Sequence, residues 1–359
     1  MRLRYFDVLK GMAIFMVVMG HIITMCIREV DRTPIFKFIT EIHMPLFFFI
    51  SGWFTYGLRP DGELRNPNLG KRAKQLLLPM LVVSTLWIYY FPFSGLQSPL
   101  TSTFEGLWLS PWKNGYWFTL CLFEIILIFT LIRPLLRKAT SIGTSAILLL
   151  ISWGALFALY IVFRETDIDK LLSLEITVTY WPVFLFGFFA SRHREGFDKI
   201  TRSTLWTTVS LLAGAFILYY LCWWWEFPGV ELFEANEINI IVARPLFHIF
   251  LAVVAIAVIR PAVENACEKA APVTPRWVEV WSYLGAKSLG IYLLHYFFLF
   301  PMTGLQETVI ELNYGFVPVF FFSALCAAAV ITVTLGLMRI IAISPMLNTL
   351  LTGNLIAKK

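Results

Sequence analysis

Charge is scarce in this chain. Asp, Glu, Lys and Arg together make up 14% of its 359 residues, against about 25% in an ordinary soluble domain. That deficit excludes a fold whose surface faces water throughout. Cysteine is thin as well: Cys26, Cys121, Cys222, Cys267 and Cys326 lie apart within apolar segments. Without a Cys-x-x-Cys spacing they argue against a disulfide framework or a metal centre and read as packed free thiols. There is no Walker A loop, Rossmann glycine fingerprint or nucleic-acid-binding motif, so nucleic-acid partners drop out. No short cleavable leader is evident, because the first apolar run is long enough to cross a bilayer by itself and is expected to stay.

Apolar residues fill the gap. They make up 58% of the chain, with 33 Phe, 13 Trp and 13 Tyr and a mean hydropathy of +0.73. Stretches that suit a span of about 20 residues recur at 8–27, 36–57, 76–92, 115–132, 143–163, 174–190, 204–225, 238–259, 282–300 and 315–341. The expected fold is all-α: a polytopic integral membrane protein of about ten transmembrane helices, embedded in a lipid bilayer. With the N-terminus inside, the connections 1–10, 58–75, 133–142, 191–203, 260–288 and 339–359 carry 22 of the 29 Lys and Arg. This positive-inside bias predicts N-in/C-in topology in the cell inner (plasma) membrane. One transmembrane domain over 1–345 and a short cytoplasmic tail over 346–359 are expected.

The opposite side is acidic in places: Glu165, Asp167, Asp169 and Glu175 in one loop, and Glu226, Glu231, Glu234 and Glu237 in another. These read as solvated loop surface or as a rim for a polar acceptor. The run from Cys222 to Trp225 reads as an interfacial aromatic belt or a sugar-stacking platform. Ser51-Gly52 reads as close helix packing. His193, in a basic connection, is expected to be exposed.

Polar groups inside spans are expensive and mark function. In FDVLKGMAIFMVVMGH, Lys10 and His21 are 11 residues apart, three turns plus about 20°, so they share a helix face. Asp7, one turn before Lys10, joins the stripe. The rise from Lys10 to His21 is about 16 Å, which puts Lys10 at the cytoplasmic edge and His21 near mid-bilayer. A neutral imidazole there suits a general base or a nucleophile, or else a packing hydrogen bond.

Lys10, ten residues, then His21 resembles the Arg/Lys-x10-His signature of the acyltransferase 3 family. Further matches follow in order. HMPLFFFISGWF (His43 to Phe54) resembles the family's second span, and its His-Met-Pro opening resembles the branch with fucose acetylase-like and intercellular-adhesin acyltransferases. NLGKRAKQLLLPML (Asn68 to Leu81) stands where the family has Arg-x-x-Arg before Leu-x-Pro. Arg72 takes the first position and Gln75 the second, with Lys71 and Lys74 in place to supply the missing charge. GYWFTLCLF (Gly115 to Phe123) is similar to the family's Trp-Phe-Leu segment, and LGAKSLGIYLLH (Leu284 to His295) to its Ser-Leu-x-Ile-Tyr-Leu-x-His.

The resemblance implies transfer of an acyl group, mostly acetyl, from cytoplasmic acyl-CoA to a carbohydrate or glycolipid acceptor, with no metal. His21 would be the base, with Lys10 and Asp7 completing the catalytic stripe. Lys10, Lys71, Arg72 and Lys74 would hold the phosphates of acetyl-CoA or another acyl-CoA. The remaining intramembrane polar groups are candidates for binding the acceptor. These are Glu124 with Trp117 in the fourth span, Arg244 and His248 one turn apart in the eighth, His43 beside Glu41, and His295 one turn after Tyr292. Each also has a plain structural reading as a helix-packing hydrogen bond. Two other readings stay open: a transporter or flippase of polysaccharide or small solutes, and a non-catalytic partner in a synthase complex. No matched pair of broken helices favours the transporter. Nothing in the sequence points to an oligomeric state.

Overall fold

In lipid every backbone N–H and C=O must be satisfied within the chain, and the long apolar runs meet that demand by coiling. The computed structural model describes residues 3–26, 34–58, 64–96, 103–110, 112–219, 242–302, 304, 307 and 316–355. Its helices are α1 (Arg4–Cys26), α2 (Pro34–Thr55), α3 (Leu69–Tyr90), α4 (Phe104–Leu109), α5 (Trp117–Lys138), α6 (Ile142–Phe163) and α7 (Asp167–Leu172). They continue as α8 (Leu174–Arg192), α9 (Arg194–Thr201), α10 (Thr204–Tyr219), α11 (Arg244–Lys269), α12 (Arg276–Leu294), α13 (Phe316–Ile341) and α14 (Pro345–Thr352). Among the described residues there is no β-strand. Seven described helices, α1, α3, α5, α6, α8, α11 and α13, are long and apolar enough to cross a membrane. The protein is an all-α polytopic membrane protein. Each of the ten apolar stretches overlaps a described helix. Cys222 to Trp225, the acidic positions Glu226 to Glu237, the end of the seventh stretch and the start of the eighth lie outside the described residues.

Burial sorts the helices into an inner and an outer set. Along α1 and α8 most side chains are buried. On α6, α10 and α13, large apolar side chains such as Leu150, Val162, Leu212, Phe216, Phe321 and Leu325 are exposed. This is what a helix hydrophobic all round does when lipid is its solvent. The inner helices touch through glycine. A Cβ at Gly11 of α1 would stand 2.0 Å from the Trp281 carbonyl oxygen, and one at Gly285 of α12 1.9 Å from that of Asp7. Gly52 of α2 and Gly187 of α8 abut Phe184 and Phe49 of the facing helix in the same way, so Gly52 serves close packing as expected. Without side chains at these crossings the backbones meet.

Three details differ from expectation. First, α3 begins at Leu69, with Asn68 Oδ1 capping the Lys71 N–H at 2.9 Å. Lys71, Arg72 and Lys74 therefore ride on the helix's first two turns rather than on a loop before it. A cap and a basic turn lie outside the apolar run and hide the helix start. Second, residues expected as a tail after 345 form α14, which packs on α3 and α12. Behind it Gly353 has a φ of +71° and sits where a Cβ would meet the Gln75 carbonyl oxygen at 2.4 Å. Third, His193 is half-buried and bonds Ser145 Oγ at 3.0 Å.

At the end of the bundle where α1 begins, Arg260 of α11 is fully buried. It donates to Asp198 at 2.7 Å, Thr201 at 2.9 Å and Glu264 at 3.1 Å, and its guanidinium lies 4.9 Å from the centre of the Tyr5 ring. This network ties α1, α9 and α11 together.

Candidate active site

The polar stripe of α1 exists in the structure. Lys10 Nζ is 2.8 Å from Asp7 Oδ1. Asp7 is buried, so it is not a solvated helix start. Beyond them His21 is half-buried at the seam with the end of α12. The Tyr296 hydroxyl lies 2.9 Å from His21 Nε2, and the ring of His295 is 5.2 Å from that of His21, centre to centre. Both partners occupy the 3₁₀ turn His295–Phe298 that ends α12. His295 is fully buried. Its Nδ1 faces the Ile291 carbonyl at 3.0 Å, and its Nε2 has no hydrogen-bond partner among the described residues. His43, on α2, bonds the Ile39 carbonyl through Nδ1.

Tyr296 reaches His21 because of an unusual turn ahead of α5. Lys113, Asn114 and Gly115 have φ of 46°, 52° and 88°. A Cβ at Gly115 would stand 1.8 Å from the Tyr296 hydroxyl, so only glycine leaves that oxygen its place. The turn is pinned from both sides. Tyr292 donates to the Gly115 carbonyl and accepts from the Phe118 N–H at 3.2 Å. Lys113 is fully buried, and its ammonium donates to the carbonyls of Trp108 (2.7 Å), Ser110 (2.9 Å) and Lys170. Burial pushes its pKa down to about 8, against the pull of Glu124 and Asp169.

The other candidates gather around the same interior. Glu41 accepts from Arg244 Nη2 and contacts His248 Nε2, both at 2.8 Å. The one-turn pair on α11 thus closes on a carboxylate of α2. Tyr180 of α8 stacks on His248 (5.5 Å), on Phe48 (4.4 Å) and on Trp117 (5.5 Å), so Trp117 forms part of an aromatic layer beside the ion triad. Glu124 accepts from Thr177 Oγ1 at 2.7 Å, and its other oxygen is buried with no hydrogen-bond partner among the described residues.

The basic helix start lines a cavity of about 240 Å³ walled by Arg65, Asn66, Asn68, Lys71, Arg72 and Gln75. Lys74 does not line it. Phe54, also on its wall, packs on Phe6 of α1 at 5.6 Å, so the cavity shares an end of the bundle with Asp7 and Lys10. Gln75 Oε1 is 3.4 Å from Arg72 Nη1, and Arg65 supplies a third cation. Sequence reasoning missed Arg65, Tyr296, Tyr180 and Thr177. Tyr296 had only one signal, its place directly after the histidine of LLH.

A family model described as "Acyltransferase domain" matches residues 3–337. Nodulation protein NolL of Mesorhizobium japonicum (strain LMG 29417 / CECT 9101 / MAFF 303099) is 29% identical over 246 residues, 66% of this chain and 59% of that protein. Nodulation protein NolL of Sinorhizobium fredii (strain NBRC 101917 / NGR234) is 35% identical over 122 residues, 32% of each chain. The chain thus spans well under two thirds of the length of these relatives. No solved structure matches. With nearly the whole chain covered by the family model, this protein belongs to the acyltransferase 3 family of membrane proteins.

Proposed function

We propose that this chain crosses the inner membrane ten times with both ends in the cytoplasm. There it moves an acyl group, in the first instance acetyl, from cytoplasmic acyl-CoA to a hydroxyl of a cell-surface glycan or glycolipid precursor. The observation that carries the reading is His21. It is an imidazole inside the bundle, met by Tyr296 at 2.9 Å, on a helix whose other end carries Lys10 and Asp7 beside a cavity lined by Arg65, Lys71 and Arg72.

The donor is polyanionic at one end and reactive at the other. Arginine and lysine suit its phosphates, and the thioester arm must then climb the roughly 16 Å of helix rise from Lys10 to His21. His21 takes the proton of the acceptor hydroxyl as its oxygen attacks the thioester carbonyl. The ester C–O bond forms, the C–S bond breaks, and the proton passes to the departing thiolate to give CoA thiol. A general base contributes roughly 10²–10⁴-fold. Arg244, His248, Glu41 and the aromatic layer of Trp117 and Tyr180 form the acceptor side, since stacked rings beside a charged pair suit a sugar.

The test has two arms. In cells, mass spectrometry of surface glycans compares chains carrying His21 or His21→Ala, and the variant should lack one acyl mass. With purified protein and the glycan so identified, thiol release from acetyl-CoA should vanish in His21→Ala. Lys71→Gln with Arg72→Gln should raise KM for acetyl-CoA and leave kcat nearly unchanged. Full transfer by His21→Ala would refute the mechanism.

A further inference from the structure

A second basic pocket, separate from the cavity at Arg72, opens between α12, α13 and α14. It holds about 80 Å³ and is lined by Tyr283, Lys287, Arg339, Ala342, Asn348 and Asn354, among others. That is room for a phosphate-sized group, given that a water occupies about 30 Å³ of liquid. Lys287 and Arg339 come from different helices, and neither has an ion pair among the described residues. Among the described residues no carboxylate lines the pocket, and from Leu312 onward the sequence contains no aspartate or glutamate.

The polar floor is pre-ordered. Thr352 Oγ1 lies 2.6 Å from the Asn348 carbonyl oxygen and 2.7 Å from Asn348 Oδ1, and Asn354 Nδ2 donates to Thr352 Oγ1 at 2.8 Å and to Asn348 Oδ1 at 3.3 Å. With its oxygen turned to Asn354 Nδ2 and the Thr352 hydroxyl, Asn348 has its NH2 group to offer. Two uncompensated cations and an amide donor around a small cavity suit an oxyanion. The surroundings say what carries it. Next in sequence to the lining residues Arg339 and Ala342, and on the first turn of α14, apolar side chains are exposed: Ile340 at 66%, Ile343 at 82% and Met346 at 68%. A soluble anion gains nothing from these, whereas an acyl chain does.

We propose that this pocket binds the phosphodiester headgroup of an anionic phospholipid of the surrounding leaflet, with the lipid's chains lying along the outer faces of α13 and α14. Basic pockets between helices at the membrane edge hold anionic headgroups in this way. The proposal does not depend on the transfer reaction.

The full-length purified chain, delipidated in detergent, is titrated with phosphatidylglycerol or phosphatidylcholine. Native mass spectrometry counts bound lipid and thermal unfolding reads stabilisation. Phosphatidylglycerol should bind saturably and raise Tm by several degrees, while phosphatidylcholine should not. Lys287→Gln with Arg339→Gln should weaken phosphatidylglycerol binding at least tenfold. Lys138→Gln with Lys199→Gln, which removes the same charge from exposed sites elsewhere, should leave it unchanged. Ala342→Glu, a carboxylate on an exposed rim position, should also abolish binding and serves if the double variant fails to fold. Adenosine 3′,5′-bisphosphate and inorganic phosphate probe the soluble sources of the same chemistry. Undiminished phosphatidylglycerol binding in the pocket variants, equal binding of phosphatidylcholine, or displacement of the lipid by adenosine bisphosphate would overturn the proposal.

Discussion

The hydroxyl of Tyr296 holds the His21 ring from one side, while His295 fills the space beside it. In the proposed role of base, His21 must keep its lone pair aimed at the proton it takes, and a fixed ring does so without an entropic cost at each turnover. Tyr296→Phe keeps the ring and removes only the hydrogen bond, worth about 1 kcal/mol net. The expected result is a kcat roughly five- to tenfold lower with KM for acetyl-CoA unchanged. A rise in KM with kcat intact would make Tyr296 a packing residue. Such contacts are legible in sequence only when they are local. The Asp7–Lys10 pair, three residues apart, follows from helix periodicity. Tyr296 meets His21 across 275 residues and Arg244 meets Glu41 across 203. Nothing in the HYFF run separates the ring that reaches the imidazole from those that only fill space.

At the level of helices, the fit of α1 to α12 sets the distance between His21 and its partners. Gly11 and Gly285 carry no side chain where the two backbones touch. Gly285→Ala inserts a methyl against the Asp7 carbonyl and forces the helices apart, at a cost of about 1–3 kcal/mol. Thermal unfolding in detergent should show a lowered Tm. Activity should fall further than Tm alone predicts, because Tyr296 and His295 lie on the displaced strand of chain. Gly154→Ala on lipid-facing α6, with nothing within 4 Å, is the control and should be neutral or slightly stabilising. The helices themselves were readable because a bilayer leaves the backbone no other choice. What escaped the apolar pattern were pieces that obey water as well as lipid: the capped basic start of α3, the 3₁₀ turn at His295, and α14. Each is held by hydrogen bonds or by a neighbouring helix rather than by an apolar stripe of its own.

For the whole molecule, the network around Arg260 fastens the end of the bundle from which α1 rises. Burial on its own would raise the Asp198 carboxyl, but the hydrogen bond and charge of Arg260, with Arg194 and Arg202, hold it below the usual aspartate value. A carboxyl depressed on folding contributes stability that is complete above its unfolded value and is lost as pH falls through the folded one. Asp198→Asn should therefore destabilise the protein near neutrality by at most about 3 kcal/mol, since Glu264 still accepts from Arg260. The gap in Tm between the two proteins should stay constant from pH 7 to about 5. It should narrow only in stronger acid, as the wild-type carboxyl takes up its proton. A gap that closes already near pH 6 would show that the Arg260 contact does not hold Asp198 ionised. Sequence alone assigns these residues to three separate connections and helices, and only the folded bundle joins them.

The seat of Gly353 against α3 has a practical side. Gly353 holds this end of the described chain beside Gln75, one turn of α3 from Arg72. A polyhistidine or fluorescent handle placed close behind Gly353 would crowd the mouth of that basic cavity, so affinities measured on such a fusion would report the handle as well as the protein.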